Sequence, residues 1–143
     1  RRRPARSGKT DMPLLLTKSR VLIFEPDTQE RRAIQRTLIS WGIKSVFESA
    51  TVGEALRMIE EIRPDMILSA AYAAGDECEL LSATRGMDEH VRNIPFIILS
   101  RKAERGLVSK AIALGARGYV LKPFHPASLK KHCMNILYNE GVC

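Results

Sequence analysis

Short apolar runs alternate with amphipathic segments along most of this chain. The run Val21-Leu22-Ile23-Phe24 is continuous and apolar, as a parallel strand with both faces buried requires. Comparable runs occupy residues 45–47, 66–70, 94–99 and 118–121. Five strands alternating with helices predict an α/β fold, a doubly wound five-stranded parallel sheet with right-handed crossovers.

Signals at the helix ends support this alternation. Asp27 or Thr28 can cap the first helix, and Gly42 is placed to end it. Thr51 and Glu54 have the spacing of a capping box at the start of the second helix.

The later helices are predicted in the same way. Asp76 and Glu79 repeat the box spacing and predict a third helix that runs to about residue 85. Gly115 follows the apolar face of a fourth helix and is predicted to end it. A last helix is predicted from about residue 126 to residue 137.

The positive charge is concentrated near the N-terminus. The net charge is +7, and residues 1–20 hold seven basic residues and one acidic residue. The remaining 123 residues hold 16 basic and 15 acidic residues. We therefore predict a flexible basic leader over residues 1–19, a domain over 20–138 and a tail over 139–143. The leader can bind nucleic acid or anionic lipid, or it can simply be solvated, and both interpretations stay open.

Cysteine usage and hydropathy indicate the compartment. Cys78, Cys133 and Cys143 are an odd number without a Cys-x-x-Cys pair, which argues against a disulfide framework or a zinc site. No apolar run approaches the ~20 residues that a membrane helix needs. These features predict a cytoplasmic protein without membrane insertion.

Five stretches of the chain are more specific than the alternation of strands and helices. They are the apolar strand before Glu25-Pro26-Asp27, residues 50–56, residues 64–68, the strand that ends in Ser100, and residues 113–119 followed by Lys122-Pro123-Phe124. In these stretches residues 20–138 resemble the receiver domain of bacterial response regulators. The resemblance implies a flavodoxin-like (βα)5 fold and a role in a two-component phosphorelay.

The resemblance also implies a defined chemistry at the carboxyl ends of the strands, which converge on one crevice. In the receiver family, two acids after the first strand and an aspartate after the third hold Mg²⁺. That aspartate attacks a phosphohistidine or an acyl phosphate and becomes a carboxyl phosphate. A lysine after the fifth strand neutralises the phosphoryl oxygens, and a serine or threonine after the fourth binds the phosphoryl group and biases a two-state surface.

Three positions of this pattern are retained. Ser100 and Lys122 stand at the hydroxyl and lysine positions, and Glu25 stands at that of the first acid. The resemblance also implies a cis peptide bond between Lys122 and Pro123. Without an acceptor, Lys122 and Ser100 could be satisfied by water, or Lys122 could pair with Glu25 and hold the crevice in one state.

Two other positions depart from the pattern. Pro26 occupies the position of the second acid, with Asp27 one residue late, and Ala70 occupies the position of the acceptor. A methyl group can neither attack phosphorus nor bind a metal. We therefore expect no enzymatic activity and no cofactor, with Glu25 and Asp27 as weak candidates for binding Mg²⁺.

Other side chains near Ala70 are poor substitutes for the acceptor. Ser69 precedes it, but side chains alternate along a strand, so Ser69 should point away from the crevice. Asp76 and Glu77 follow in a loop whose path the sequence does not predict. A phosphorelay receiver that uses an unorthodox acceptor therefore stays an alternative.

These features favour a receiver-like signalling domain that acts as a protein–protein interaction module. The family uses the surface of its fourth helix, fifth strand and last helix to form homodimers or to bind other signalling proteins. Here that surface would include Lys110, Tyr119, Lys130 and Lys131. Tyr119 is interpreted either as its aromatic anchor or as a fixed, partly buried ring.

A further interpretation is a regulatory or dimerisation domain of a nucleic-acid-binding regulator, in which the arm over residues 1–20 contacts phosphate. It ranks lower because the sequence of the folded part shows no basic stripe and no interleaved aromatic residues.

Overall fold

The computed structural model describes residues 16–73 and 76–141, without the side chains of residues 73, 76 and 139–141. Strands and helices alternate along nearly all of this length. In chain order they are β1 (Arg20–Phe24), α1 (Thr28–Ser40), β2 (Ser45–Ser49), α2 (Val52–Ile62), β3 (Met66–Ala70), β4 (Tyr72–Ala73), β5 (Asp76–Glu77), α3 (Glu79–Thr84), α4 (Glu89–Arg92), β6 (Phe96–Ser100), α5 (Arg105–Ala113), β7 (Gly118–Leu121) and α6 (Pro126–Gly141).

Five of the strands form one parallel sheet in the order β2-β1-β3-β6-β7. This confirms the predicted doubly wound α/β fold. Since β1 lies inside the sheet and the chain continues outward from it in both directions, the strand order reverses beside β1. In open α/β sheets, ligands bind at the carboxyl ends of the strands beside such a reversal.

Alternation of side chains along the strands divides the core into two layers. Leu22 and Phe24 of β1 pack in one layer, with Ala55 and Ile59 of α2. Val21 and Ile23 of the same strand pack in the other, which also includes residues of α1 and α6. The strands β3 and β6 are buried along their whole length, which explains why they are apolar runs without alternating polar residues.

The predicted caps of the first two helices are confirmed. Asp27 Oδ1 accepts a hydrogen bond from the Glu30 amide at 2.9 Å, and Thr51 Oγ1 accepts one from the Glu54 amide at 3.1 Å. The reciprocal bond of the second cap differs from an ordinary capping box, because Glu54 Oε1 accepts from the amide of Ala50, at 2.8 Å.

The predicted start of the third helix is wrong. Asp76 lies in β5, where its backbone pairs with Ala73 of β4 in an antiparallel ladder, so it does not cap a helix. Helix α3 begins only at Glu79, after Cys78 in the left-handed conformation and without a side-chain cap. The short helix α4 and the β4–β5 pair were not predicted.

The folded part is longer at both ends than predicted. Leu16, placed in the leader by its sequence, is 1% exposed and packs in the same layer as Val21 and Ile23. The rest of the predicted leader, residues 1–15, lies outside the described residues. Helix α6 continues to Gly141, into the predicted tail, and only residues 142–143 of that tail lie outside the described part.

Two cysteines serve as small packing residues, as predicted. Cys78 and Cys133 are free thiols with exposures of 1% and 0%. The third, Cys143, lies outside the described residues.

Replacing Gly115 by alanine should destabilise the domain. Gly115 has a φ of 104°, and a Cβ there would lie 2.8 Å from Arg85 Nη1. We expect the free energy of unfolding, measured by urea denaturation, to fall by about 1–2 kcal/mol.

Gly106→Ala is the matched control, because Gly106 lies in α5 and a Cβ there would meet no atom within 4 Å. It should be neutral or stabilise the domain by up to about 1 kcal/mol. Equal losses in the two variants would contradict this explanation of Gly115.

Candidate functional site

The carboxyl ends of four adjacent strands bring the predicted site residues together. Glu25 follows β1, Ala70 ends β3, Ser100 ends β6, and Lys122 follows β7. The strand register aligns these ends, with Ala70 opposite Leu99 and Ser100 opposite Leu121. Glu25, Ala70 and Ser100 are 5%, 8% and 3% exposed, so the crevice between them is nearly closed to solvent.

An ion pair occupies this crevice. The Lys122 ammonium donates a hydrogen bond to Glu25 Oε1 at 2.9 Å, and the two side chains are 10% and 7% exposed. The alternative in which Lys122 pairs with Glu25 is therefore confirmed. The predicted cis peptide bond between Lys122 and Pro123 is present as well.

A second carboxylate holds the same ammonium, and sequence reasoning missed it. Lys122 Nζ also donates to Glu30 Oε1. Glu30 Oε2 in turn accepts from Arg101 Nη2 at 2.8 Å. A signal for Glu30 existed, because it stands three residues after the cap Asp27, in the first turn of a helix that begins at the crevice.

The charges of this cluster act on Glu30. The hydrogen bond from Lys122 is the largest of the causes that lower the pKa of Glu30 below its ordinary value of 4.5, and that from Arg101 is the next. Partial burial opposes them. Because the ionised form is favoured, the cluster holds two carboxylates and two cations, with no net charge.

Both carboxylate oxygens and the backbone carbonyl of Glu25 accept hydrogen bonds from other residues of the protein. Besides its bond to Lys122, its Oε2 accepts from the Asp27 amide at 3.0 Å. Its backbone carbonyl accepts from Arg31 Nη1 at 2.9 Å, and Arg31 Nε donates to Glu48 at 3.2 Å. Each of the two carboxylate oxygens therefore has a protein donor already.

The donor set does not match the one that Mg²⁺ takes in the family the sequence resembles. Asp27 Oδ1 is used as the cap of α1, Pro26 has no side-chain oxygen, and Ala70 has only a methyl group. Within the described ranges, no group of three or more His, Cys, Asp or Glu side chains is arranged to hold a metal. The two carboxylates that converge, those of Glu25 and Glu30, converge on an ammonium.

Ser100 and Tyr119 are both bound to the backbone of one residue. Ser100 Oγ accepts from the Lys102 amide at 3.0 Å, and Tyr119 Oη donates to the Lys102 carbonyl at 2.8 Å. Burial raises the pKa of Tyr119, opposed by a hydrogen bond with Ser100. Of the two interpretations of Tyr119, the geometry favours the fixed, half-buried ring.

The other acceptor candidates are engaged elsewhere. Ser69 is 1% exposed, and its hydroxyl donates to the Ala70 carbonyl at 2.9 Å. Glu77 forms an ion pair with Lys110 at 3.7 Å. The side chain of Asp76 lies outside the described part.

The predicted interaction residues fall into separate groups. Lys110 faces the β4–β5 pair through Glu77, whereas Lys130 and Lys131 line a shallow groove of about 440 Å³ on α6 with Ala127, Met134 and Asn135. Sequence reasoning missed two apolar side chains, Ile112 of α5 and Leu121 of β7. They are 53% and 47% exposed, and the signal for Leu121 was its place after the buried Val120 in an edge strand.

Comparison with known sequences agrees with this geometry. The family model of the response regulator receiver domain matches residues 21–134. The chain belongs to the response regulator receiver family. It is therefore similar throughout the described domain to the receivers of two-component response regulators.

Individual relatives show the same similarity. The chain is 27% identical over 122 residues to chemotaxis protein CheY-3 of Vibrio cholerae, covering 84% of this chain and 93% of that protein. It is 28% identical over 119 residues to the DNA-binding response regulator MtrA of Mycobacterium tuberculosis, covering 78% of this chain and 47% of MtrA. The solved structure of V. cholerae chemotaxis protein CheY4 has a TM-score of 0.76 and 26% identity, covering 84% of this receiver and 99% of CheY4.

The helices of this receiver are short or carry charge. Among the described residues, no helix is long and apolar enough to cross a membrane.

Glu30→Gln should destabilise the receiver near neutral pH and reduce its sensitivity to acid. The lowered pKa of Glu30 means that its carboxylate stabilises the fold above the ordinary value of 4.5, and that this contribution is lost as the pH falls through the folded pKa. Urea denaturation over a pH series should show a difference from the unsubstituted protein that shrinks toward zero on acidification.

Glu61→Gln is the control, since Glu61 forms an exposed pair with Arg57 at 3.9 Å. It should change stability by less than about 1 kcal/mol at every pH. A loss in Glu30→Gln that is independent of pH would contradict the electrostatic role of Glu30.

Proposed function

We propose that this receiver domain acts as a protein–protein interaction module of a bacterial two-component system, in the cytoplasm, without phosphorylation at the usual position. One observation carries the proposal. The strand that would present the acceptor ends in Ala70, while Lys122 is held by Glu25 and Glu30 in the same crevice.

The chemistry of phosphoryl transfer supports this proposal. A methyl group has no lone pair with which to attack phosphorus, and it cannot bind Mg²⁺. The lysine that would neutralise phosphoryl oxygens is itself neutralised by two carboxylates. An incoming phosphoryl group would meet those carboxylates as like charges, so the domain is neither an enzyme nor a Mg²⁺-dependent switch.

The same cluster makes the crevice stable in one arrangement. The ion pair between Lys122 and Glu25 is nearly buried, and removing one partner of such a pair costs about 3–5 kcal/mol because the other charge is left uncompensated. Moving Lys122 away from Glu25 to bind a ligand would also leave the buried Glu25 carboxylate uncompensated, which costs free energy for the same reason. A single state of the crevice fits a constitutive interaction module better than a switch.

Mass spectrometry and amide chemical shifts test the proposal. With Mg²⁺ and acetyl phosphate, or with Mg²⁺ and beryllofluoride, we expect no phosphoryl mass gain and no chemical-shift change at Glu25, Ser100 or Lys122. A mass gain, or shifts that spread from the crevice to Tyr119, would contradict the proposal and would favour the unorthodox acceptor instead.

Restoring an aspartate at position 70 tests separately whether the missing acceptor, the missing metal ligand or the pairing of Lys122 prevents phosphorylation. Ala70→Asp alone should be phosphorylated poorly, because Pro26 supplies no metal ligand and Lys122 stays paired. Adding Pro26→Asp and Glu30→Gln should raise the phosphorylated fraction, while Ala70→Asn in the same background should show none. Full phosphorylation of Ala70→Asp alone would show that the cluster is no barrier.

The surface for interaction is proposed at the edge of the sheet formed by α5, β7 and α6, which we call the edge surface. Among the described strands, β7 has a neighbour on one side only, so its other side is an edge of the sheet with backbone groups that no strand pairs. Ile112 and Leu121 add exposed apolar area to this side, and Lys130 and Lys131 add positive charge. A second copy of the chain or another signalling protein is the proposed partner.

Leu121→Glu should disrupt association through the edge surface. If a second copy is the partner, sedimentation analysis should show a concentration-dependent dimer that this variant weakens at least ~10-fold, since an apolar contact is replaced by a desolvated charge.

Ile39→Glu is the matched control, because Ile39 is 49% exposed on α1, away from the edge surface. It should leave the dimer unchanged. Equal effects of the two variants would contradict this assignment, and a monomer at all concentrations would leave another signalling protein as the proposed partner.

A further inference from the structure

Basic residues stand at the amino end of every strand of the main sheet. In sheet order, they are Lys44 before β2, Arg20 at the start of β1, Arg63 before β3, Arg92 before β6 and Arg117 before β7. Each of these side chains is exposed, and Lys18 adds a further exposed cation beside β1. The sequence of the folded part shows no basic stripe, and the topology alone brings these cations to one edge.

This row cannot be recognised from the sequence alone. Its members are separated by about twenty or more positions and are brought together only by the parallel sheet, whose strands all begin at the same edge. Acidic residues elsewhere balance them in the total charge. The carboxyl edge is different, since its cations Lys122 and Lys110 are paired there with Glu25, Glu30 and Glu77.

Exposed acidic residues at the amino edge include Glu60 and Glu61 in the last turn of α2 and Asp65 before β3. Asp65 lies 4.0 Å from Arg20 and accepts from its amide, which neutralises that arginine. Asp88 caps α4 through the Val91 amide at 3.1 Å. Lys44 and Arg63 form no ion pair with any residue that the structure describes.

Arg85 lies close to two arginines at one end of the row, Arg92 and Arg117, and their charges act on it. Its guanidinium donates to the Arg92 carbonyl at 3.0 Å and to Thr84 Oγ1 at 3.2 Å. Burial lowers the pKa of Arg85, and the charges of Arg92 and Arg117 lower it further. These arginines are therefore close enough to act on one another.

Helix direction offers a purely structural explanation of the row. Helices α1, α2, α4 and α5 end at this edge, and cations near a helix C-terminus gain about 0.3–1 kcal/mol from the helix dipole. This explains why cations are tolerated here, but a helix dipole does not neutralise the charges of Lys44 and Arg63.

We infer that the basic row, defined as Lys18, Lys44, Arg63, Arg92 and Arg117, binds the phosphodiester backbone of a nucleic acid. Five strands spaced ~4.8 Å apart give a row ~19 Å long. Such a narrow, linear array fits a linear polyanion with one phosphate per ~3.4 Å of each strand. Guanidinium groups, which can bind phosphate through two hydrogen bonds, supply three of its five charges.

The path of the chain adds to this inference. Residues 1–15, which hold five basic residues and one acidic residue, join the domain at Leu16, immediately before β1 and thus at the edge that bears the row. A membrane surface is less favoured, because the large exposed apolar side chains toward this edge among the described residues, Ile39, Ile112 and Tyr138, lie singly on three different helices. Helices that lie in a membrane interface bury a whole apolar face.

The test uses the full chain and a fluorescent, mixed-sequence DNA duplex, with anisotropy measured over a range of salt concentrations. The row variant combines Lys18→Gln, Lys44→Gln and Arg63→Asn, the last because asparagine tolerates the left-handed backbone at this position. The control combines Arg36→Gln, Arg57→Gln and Arg105→Gln, three exposed residues outside the row with the same total change of charge.

We expect the row variant to bind at least ~10-fold more weakly than the control and to reduce the slope of log K against log salt by about 3, one unit for each lost phosphate contact. Lys18→Gln alone, at an exposed position that forms no ion pair with a described residue, should reduce the slope by about 1. This single variant guards against misfolding of the triple variant. Circular dichroism checks that all variants are folded.

Three outcomes would overturn the inference. Equal losses in the row variant and the control would mean a general effect of net charge. No binding by the unsubstituted chain at low salt would remove the activity itself. Binding to phosphatidylglycerol vesicles without binding to the duplex would assign the row to a membrane surface. None of these outcomes bears on the proposal for the crevice, which rests on different residues.

Discussion

The ammonium of Lys122 is the point on which the carboxyl edge of this receiver depends. Its two carboxylate partners come from different elements, Glu25 from the end of β1 and Glu30 from the first turn of α1. Arg101, which follows β6, joins through Glu30. One internal cation thus ties three strands and a helix together where the family resemblance implies a metal ion. The methyl group of Ala70 and this cluster lie in the same crevice.

The sequence predicts the features of this structure that depend on neighbouring residues better than those that depend on contacts between distant segments. Strand runs and the caps at Asp27 and Thr51 are local signals, and they gave the sheet and two helices correctly. The box at Asp76 failed because backbone pairing with Ala73, an interaction between segments, competes with capping. Glu30 was missed for a related reason, since a polar residue in the first turn of a helix has an ordinary local role. Its partner lies 92 residues away in the chain.

The two edges of the sheet differ in how their charges are paired. All strands begin at one edge and all helices between them end there, so cations gather at the amino edge for one physical reason. Helix starts lie at the other edge, where the carboxylates of Glu25 and Glu30 are paired with Lys122 and Arg101. Such a division cannot be seen in net charge, which is nearly balanced over residues 21–143. It follows from topology, and any parallel α/β domain with similar loops can be searched for it.

The buried cysteines have a practical consequence. Burial raises the pKa of Cys133 to about 12 and also raises the pKa of Cys78. The thiolate is the form that reacts with alkylating reagents and oxidants, so both sulfurs are inert while the surrounding layers stay packed. Cys78 directly precedes α3 and packs in one layer of the core, whereas Cys133 lies on α6 and packs in the other. The alkylation rate of Cys78 would therefore measure how often one layer of the core opens, and that of Cys133 would measure the opening of the other layer.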